Sequence, residues 1–408
     1  MLFSFRCILF VGTSLSLFFR GTSKITLLVS SVALVLCSCS GLPTMHQGSD
    51  VDREQRIKTY LDGVVESGMT PGIQYIVLNE EKVLFEYASG RAVVNGPAMS
   101  MQTPMMLYSA TKLFTAVAVL QLVDQNKIQL DDLLSKYLPD IPYKSVTIGQ
   151  VLGHRAGIPD AMIGKMYVHP DHEHGKLDLK AMLTETLNKN PKLKFEPGSD
   201  VKYSNLGYAL LGELIRKVSG VSYETYVVDN ILKPLGMETG TDFTFDKFEA
   251  DSKGYARRFS LIGMLIGMLI DNLTQEKVDG WITYKEHWYF NFPAHGGLIT
   301  NAPSTALFVQ DMLAANPKTL SVKMKSEFFK LQGEWNSTLL NSTHNARSWF
   351  YNNKGVTPFY FHEGSAFGYI SELRVYPEAG IASVLLVNTT HRDHKTVMEK
   401  VDGEFLTP

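Results

Sequence analysis

Two strand-turn-strand patterns at opposite ends of the 408-residue chain constrain its fold more than any other feature. Near the beginning, Ile73 to Leu78 and Val83 to Ala88 are apolar and aromatic runs separated by Asn79-Glu80-Glu81-Lys82, as in a hairpin. Near the end, Tyr369 to Tyr376 and Ile381 to Val387 repeat the pattern across Pro377-Glu378-Ala379-Gly380. An isolated hairpin is marginal in water, so the economical arrangement joins both pairs in one sheet. Val51 to Gly68 has Ile57, Leu61 and Val64-Val65 on one side of a helix, with Pro71-Gly72 as the break that follows. His391 to Phe405 reads as a closing helix that covers the sheet. The expected fold class is α+β, an α/β sandwich whose central antiparallel sheet comes from both chain ends, with a mostly helical insertion at about 120–293.

At 45% hydrophobic and 20% charged residues, the chain has enough apolar material for a sizeable core. Its 39 basic and 41 acidic residues give a net charge of -2, which provides no basic field for a nucleic-acid backbone. Cys7, Cys37 and Cys39 are the only cysteines. The later chain therefore has no thiol nucleophile, and covalent catalysis there needs another residue type.

Residues 1–38 read as an export signal, with Arg20 and Lys24 ahead of the apolar run Ile25 to Leu36. Leu36-Cys37-Ser38-Cys39 resembles a bacterial lipobox, which implies lipidation of Cys39 and, with Ser40 in place of Asp, an outer-membrane envelope lipoprotein facing the periplasm. An ordinary cleaved signal is the alternative. Residues 39–50 form a polar linker, and the apolar stretch 2–19 has no assigned function.

The segment SATKLFTAVAVLQLV, Ser109 to Val123, puts a lysine one turn after a serine at the head of an apolar helix. Three positions apart, the two side chains share a helix face. The helix start favours negative charge on the serine oxygen and disfavours an ammonium. A buried ammonium is tolerated only when it is neutralised, paired or used. Lys112 reaching solvent while Ser109 caps the helix is the bland alternative. The spacing recurs at Ser199-Asp200-Val201-Lys202, but that copy leads into no apolar helix.

Tyr203-Ser204-Asn205 then lies on a loop entering a new apolar helix, and His362-Glu363-Gly364 is expected at the start of an edge strand. Ser-x-x-Lys, Tyr-x-Asn and His-x-Gly in this order resemble the serine β-lactamase and penicillin-binding-protein-like hydrolases, in particular their class C β-lactamase, esterase and D-aminopeptidase branch. The likeness runs from about Val64 to Asn388, with supporting echoes at TIGQVLGHRAGIP from Thr147 and AHGGLITNAPSTALFVQDML from Ala294. It implies a hydrolase domain over 51–408.

That resemblance implies that Ser109 attacks a carbonyl to form an acyl-enzyme, with Lys112 and Tyr203 sharing the proton. The oxyanion would be held by the backbone N–H groups of Ser109 and Ser365, and Gly364 would allow close approach of the strand. Asn205 would orient Lys112 and a substrate amide, unless it is a helix N-cap. Penicillin-recognising relatives carry lysine where this chain has His362, and a mostly neutral histidine favours esters, or amides without a nearby carboxylate. The alternatives are a β-lactamase, a D-amino-acid peptidase or carboxypeptidase acting on cell-wall peptides, or a catalytically silent binding module. His154, in His154-Arg155-Ala156-Gly157, is given a structural role.

No cofactor and no metal is implied. HPDHEHG, His169 to Gly175, is read as a solvated loop in preference to a transition-metal site. RRFSLIGMLIGMLID, Arg257 to Asp271, is too short to span a bilayer that needs about 20 residues; it reads as a lid, a lipid-dipping segment or core.

Overall fold

The computed structural model describes residues 42–45, 52–160, 168–257, 275–337, 341–390 and 393–406. The export signal, Cys39 and most of the Arg257 to Asp271 run lie outside them. Among the described residues no helix is long and apolar enough to cross a membrane.

The two hairpins do meet in one sheet. Strands β1 (Gly72–Asn79) and β2 (Val83–Gly90) join β3 (Gly333–Ser337), β4 (Ser342–Asn345), β5 (Phe350–Asn352), β6 (Phe359–Ser365), β7 (Ile370–Tyr376) and β8 (Ile381–Val387). Their order is β3-β4-β5-β6-β7-β8-β1-β2. The chain ends pair at the centre, where Ile73 to Asn79 run antiparallel to Val387 to Ile381. Every residue of β7 and β8 is buried, because both faces of the sheet are covered.

One face carries helices α1 (Arg53–Glu66) and α5 (His394–Leu406), which pack Ile57, Leu61, Val397 and Val401 against Tyr75, Val77 and Leu385. The other face meets a larger core containing α2 (Thr111–Asp124), α3 (Asn205–Ser219) and α4 (Ala302–Leu313). Each Leu, Val or Phe fully buried there contributes about 1.5–3 kcal/mol.

The structure adds to the expected fold at two points and corrects the reading of His169. The sheet extends beyond the hairpins through β3 to β6: the strand expected at His362 to Gly364 is interior and not an edge, and β3 to β5 are short stretches such as Ser342–Asn345 that lack strand-like patterning. The inserted region also contains strands, with Ala256–Arg257, Gln275–Val278 and Trp281–Tyr284 forming a small antiparallel sheet of their own. His169 is likewise not on a solvated loop. Val168–Pro170 pairs with Trp288–Phe290, and His169 is buried with Nδ1 2.7 Å from Asn291 Oδ1.

Candidate active site

Helix α2 is buried from Thr111 through Leu120, lysine included. Its polar residues converge on the backbone of Pro293 to Leu298. Thr111 Oγ1 accepts from Leu298 N at 3.2 Å, Thr115 Oγ1 donates to Ala294 O at 2.6 Å, and Lys112 Nζ donates to His295 O at 2.5 Å. The helix therefore keeps a narrow polar stripe that docks one loop.

Ser109 is half-buried in the 3-10 turn Tyr108–Ala110 that leads into α2. The residue before it, Tyr108, has φ 47, a left-handed conformation that costs a bulky residue energy and clusters at functional sites. The turn is braced by Leu107, whose N–H donates to Leu298 O at 2.8 Å and whose carbonyl accepts from Ser371 Oγ at 2.6 Å.

Lys112 Nζ lies 3.3 Å from Ser109 Oγ and 2.8 Å from Asn205 Oδ1, with the Tyr203 ring centroid 4.8 Å away. Burial drives the Lys112 ammonium well below the ordinary lysine range, against an opposing pull from Asp160. Asp160 is tied to the same group through Asn205, accepting from its N at 3.1 Å and its Nδ2 at 3.2 Å. Burial pushes the Asp160 carboxyl up, and the Asn205 backbone N–H and Lys112 pull it back.

The alternative for Asn205 is settled by Ser204, which is the N-cap of α3 and accepts from Gly207 N at 3.0 Å. Asn205 is thereby released to bond Lys112. His154 (φ 54) packs at a tilt against Tyr203 with centroids 4.5 Å apart, and its Nδ1 accepts from Ser204 N at 3.3 Å.

His362, Glu363 and Gly364 sit at the end of β6, and β6 is interior to the sheet. Strand β5 pairs only with Phe359 to Phe361, so Glu363 to Ser365 reach beyond it toward Ser109. A Cβ on Gly364 would collide with Leu107 O and stand 3.0 Å from Ser109 N. His362 is buried against Phe350, and burial followed by the charge of Lys112 lowers its pKa to about 3. Its Nδ1–H donates to Glu363 O at 2.8 Å, which leaves Nε2 as the unprotonated nitrogen.

Ser109, Lys112, Tyr203, Asn205, His362 and Gly364 thus converge, with Ser365 next along the strand. Sequence reasoning missed Asp160 and the His295 carbonyl. Asp160 follows Gly157-Ile158-Pro159 as a lone acid outside the three motifs. His295 acts through its backbone carbonyl, for which a side-chain motif carries no signal. The second Ser-x-x-Lys stays in a loop, with Ser199 and Lys202 exposed.

A cavity of about 280 Å³ opens next to the turn, lined by Tyr108, Phe245, Tyr284, Trp288 and Phe367 among others. Among the described residues the one cluster with metal-ligand spacing is Glu363, Glu372 and His394. Lys395 and Arg374 already occupy its carboxylates at 3.1 and 2.6 Å, so it is an ion-pair network.

The chain is 29% identical over 212 residues to Protein flp of Staphylococcus aureus strain MW2; the match takes in 50% of this chain and 41% of that protein, less than half of its length. Its fold is similar to that of D-amino acid amidase from Ochrobactrum anthropi SV3, with TM-score 0.74 at 21% identity over 86% of this chain and 98% of that one. The octameric penicillin-binding protein homologue from Pyrococcus abyssi gives TM-score 0.69 at 21% identity, over 86% and 77%. The β-lactamase family model matches residues 57–402, and the chain belongs to the β-lactamase family.

Proposed function

We propose that the chain forms an acyl-enzyme on Ser109 and hydrolyses esters or peptide-like amides that lack a carboxylate beside the scissile bond. The observation that carries this reading is the coordination of Lys112 Nζ. A neutral amine has two N–H donors and one lone pair. Asn205 Oδ1 and His295 O take the two donors, so the lone pair is directed at Ser109 Oγ, 3.3 Å away. Burial favours this neutral form. Lys112 then accepts the serine proton as the hydroxyl attacks, Tyr203, packed over the amine, passes a proton to the leaving group and regains one from Lys112, and a water deprotonated by the same pair cleaves the acyl–Ser109 bond and returns the proton to the Ser109 oxygen.

The tetrahedral oxyanion is received by the N–H groups of Ser109 and Ser365, each such donor contributing about 3 kcal/mol of barrier lowering. Neutral His362 supplies no cation for a substrate carboxylate, which supports esters and simple amides over penicillins. The cavity beside Tyr108 combines aromatic rings with Asp171, Asp251, Lys253, Lys285 and Glu286, so it offers a substrate both apolar and charged contacts. Anchoring at the cell envelope through Cys39 belongs to the same proposal and rests on the lipobox-like sequence alone.

A fluorophosphonate probe is expected to label the wild-type chain and not Ser109→Ala; equal labelling of both would sink the reading. Turnover of a chromogenic short-chain ester, a D-amino-acid amide and a cephalosporin, measured side by side, should favour the first two. Dominant cephalosporin turnover would reverse the substrate assignment.

A further inference from the structure

Glu363 and Glu372 stand directly opposite each other on β6 and β7, and both are buried. Like charges in this position repel and destabilise a sheet unless something bridges them. Arg374 Nε holds Glu372 Oε1 at 2.6 Å, and Lys395 Nζ holds Glu363 Oε2 at 3.1 Å. His394 is ion-paired with both carboxylates, its Nε2 lying 3.1 Å from Glu372 Oε2 and 3.6 Å from Glu363 Oε2. The remaining acid of the network, Asp402 on α5, lies 3.6 Å from Arg374 and accepts from Tyr75, Tyr376 and Ser383.

Strand side chains alternate between faces, so Glu363 points at α5 while its neighbours His362 and Gly364 face the Ser109 side. Gly364 is packed against Leu107 O and Ser109 N with no room for a methyl group. A displacement of Glu363 is therefore transmitted through one residue of backbone to the strand end that meets the Ser109 turn.

We propose that His394 is a positioning residue for this site: as an imidazolium it clamps Glu363 to Glu372 and so fixes the strand end carrying Gly364 and Ser365. The link to catalysis rests on the acyl-enzyme reading above. Burial works against the charge, but the bonds and charges of Glu363 and Glu372 prevail and raise the His394 pKa above its ordinary value. The same contacts lower Glu363, and Glu372 falls to about 2 chiefly through Arg374, burial opposing in both. The groups facing His394 are Glu363 from β6, Glu372 and Arg374 from β7, and Lys395 and Asp402 from α5. With the pKa raised, the clamp is complete below about pH 6.5 and is lost as pH rises through the higher folded-state value.

The test uses the full chain. His394→Gln, neutral at every pH, should lower kcat for an ester by about tenfold with KM little changed, a fraction of the loss from deleting an oxyanion donor. It should also remove an alkaline limb from the pH profile of kcat, and His394→Lys should carry that limb to higher pH. Wild-type kcat and an unchanged profile in His394→Gln would overturn the proposal, as would loss of wild-type activity on chelation with EDTA, which would assign the cluster to a metal.

A measurement independent of turnover, and of whether these variants fold, is an NMR titration of Ser109→Ala. The amides of Gly364 and Ser365 should shift with the midpoint of the His394 ring. Flat amides against a titrating ring would refute the coupling. Coupled shifts in a protein whose wild type hydrolyses nothing would refute the acyl-enzyme reading and leave the clamp standing.

Discussion

The two Ser-x-x-Lys segments have the same spacing and opposite physical situations. Ser109 and Lys112 begin a buried helix, and the lysine is enclosed by Asn205, His295 and Tyr203. Ser199 and Lys202 lie on an exposed loop, where the serine hydroxyl donates to Glu196 O at 2.7 Å. A lysine on an exposed loop is surrounded by water. A lysine enclosed by two carbonyl acceptors and a phenol ring is pushed toward the free amine and has one direction left in which to act. Burial and platform, more than the pattern, make a candidate base.

Substituting each pair in parallel tests that difference. Ser109→Ala should lower kcat/KM for an ester by about 10³-fold or more, while Ser199→Ala leaves it unchanged. Lys112→Met should cost about 10²–10⁴-fold, the usual range for a general base, and Lys202→Met nothing measurable. Equal effects at both sites would erase the distinction.

Gly364→Ala should cost about 10²-fold in kcat, since the new methyl group forces the strand away from Leu107 and Ser109 by about an ångström. An unchanged rate would mean that the strand end does not contact the reacting group.

The pH dependence sharpens the contrast further. On the proposed mechanism, in which Lys112 acts as the free amine, activity should rise with pH through its lowered pKa, placing the acid limb well below the ordinary lysine value of about 10.4. The smallest effect is expected from Asp160→Asn. The Asp160 charge raises the Lys112 pKa, so its removal should move the acid limb to still lower pH, with less than about a tenfold change in the plateau rate. A shift to higher pH would contradict the electrostatic assignment.

Much of the fold was legible because its elements are locally encoded. The alternating apolar runs of β1, β2, β7 and β8 and the face of α1 follow the periods of strand and helix. A strand at His362 to Gly364 was expected, but β3 to β5 were missed because they are three to five residues long and are strands through pairing with neighbours. At the site, Ser109, Lys112, Tyr203 and His362 could be named from motif order. Asp160 and the His295 carbonyl could not, since one is a lone acid and the other a backbone atom.

The sequence by itself determined the family pattern, the nucleophile candidate and the pairing of the chain ends, because these reside in residue type and spacing. Only the tertiary structure decided that Asn205 is free of capping, that His362 is held neutral, and that Glu363 belongs to an ionic clamp behind the site. Those outcomes depend on desolvation and on distances between residues far apart in the chain, which no local pattern records.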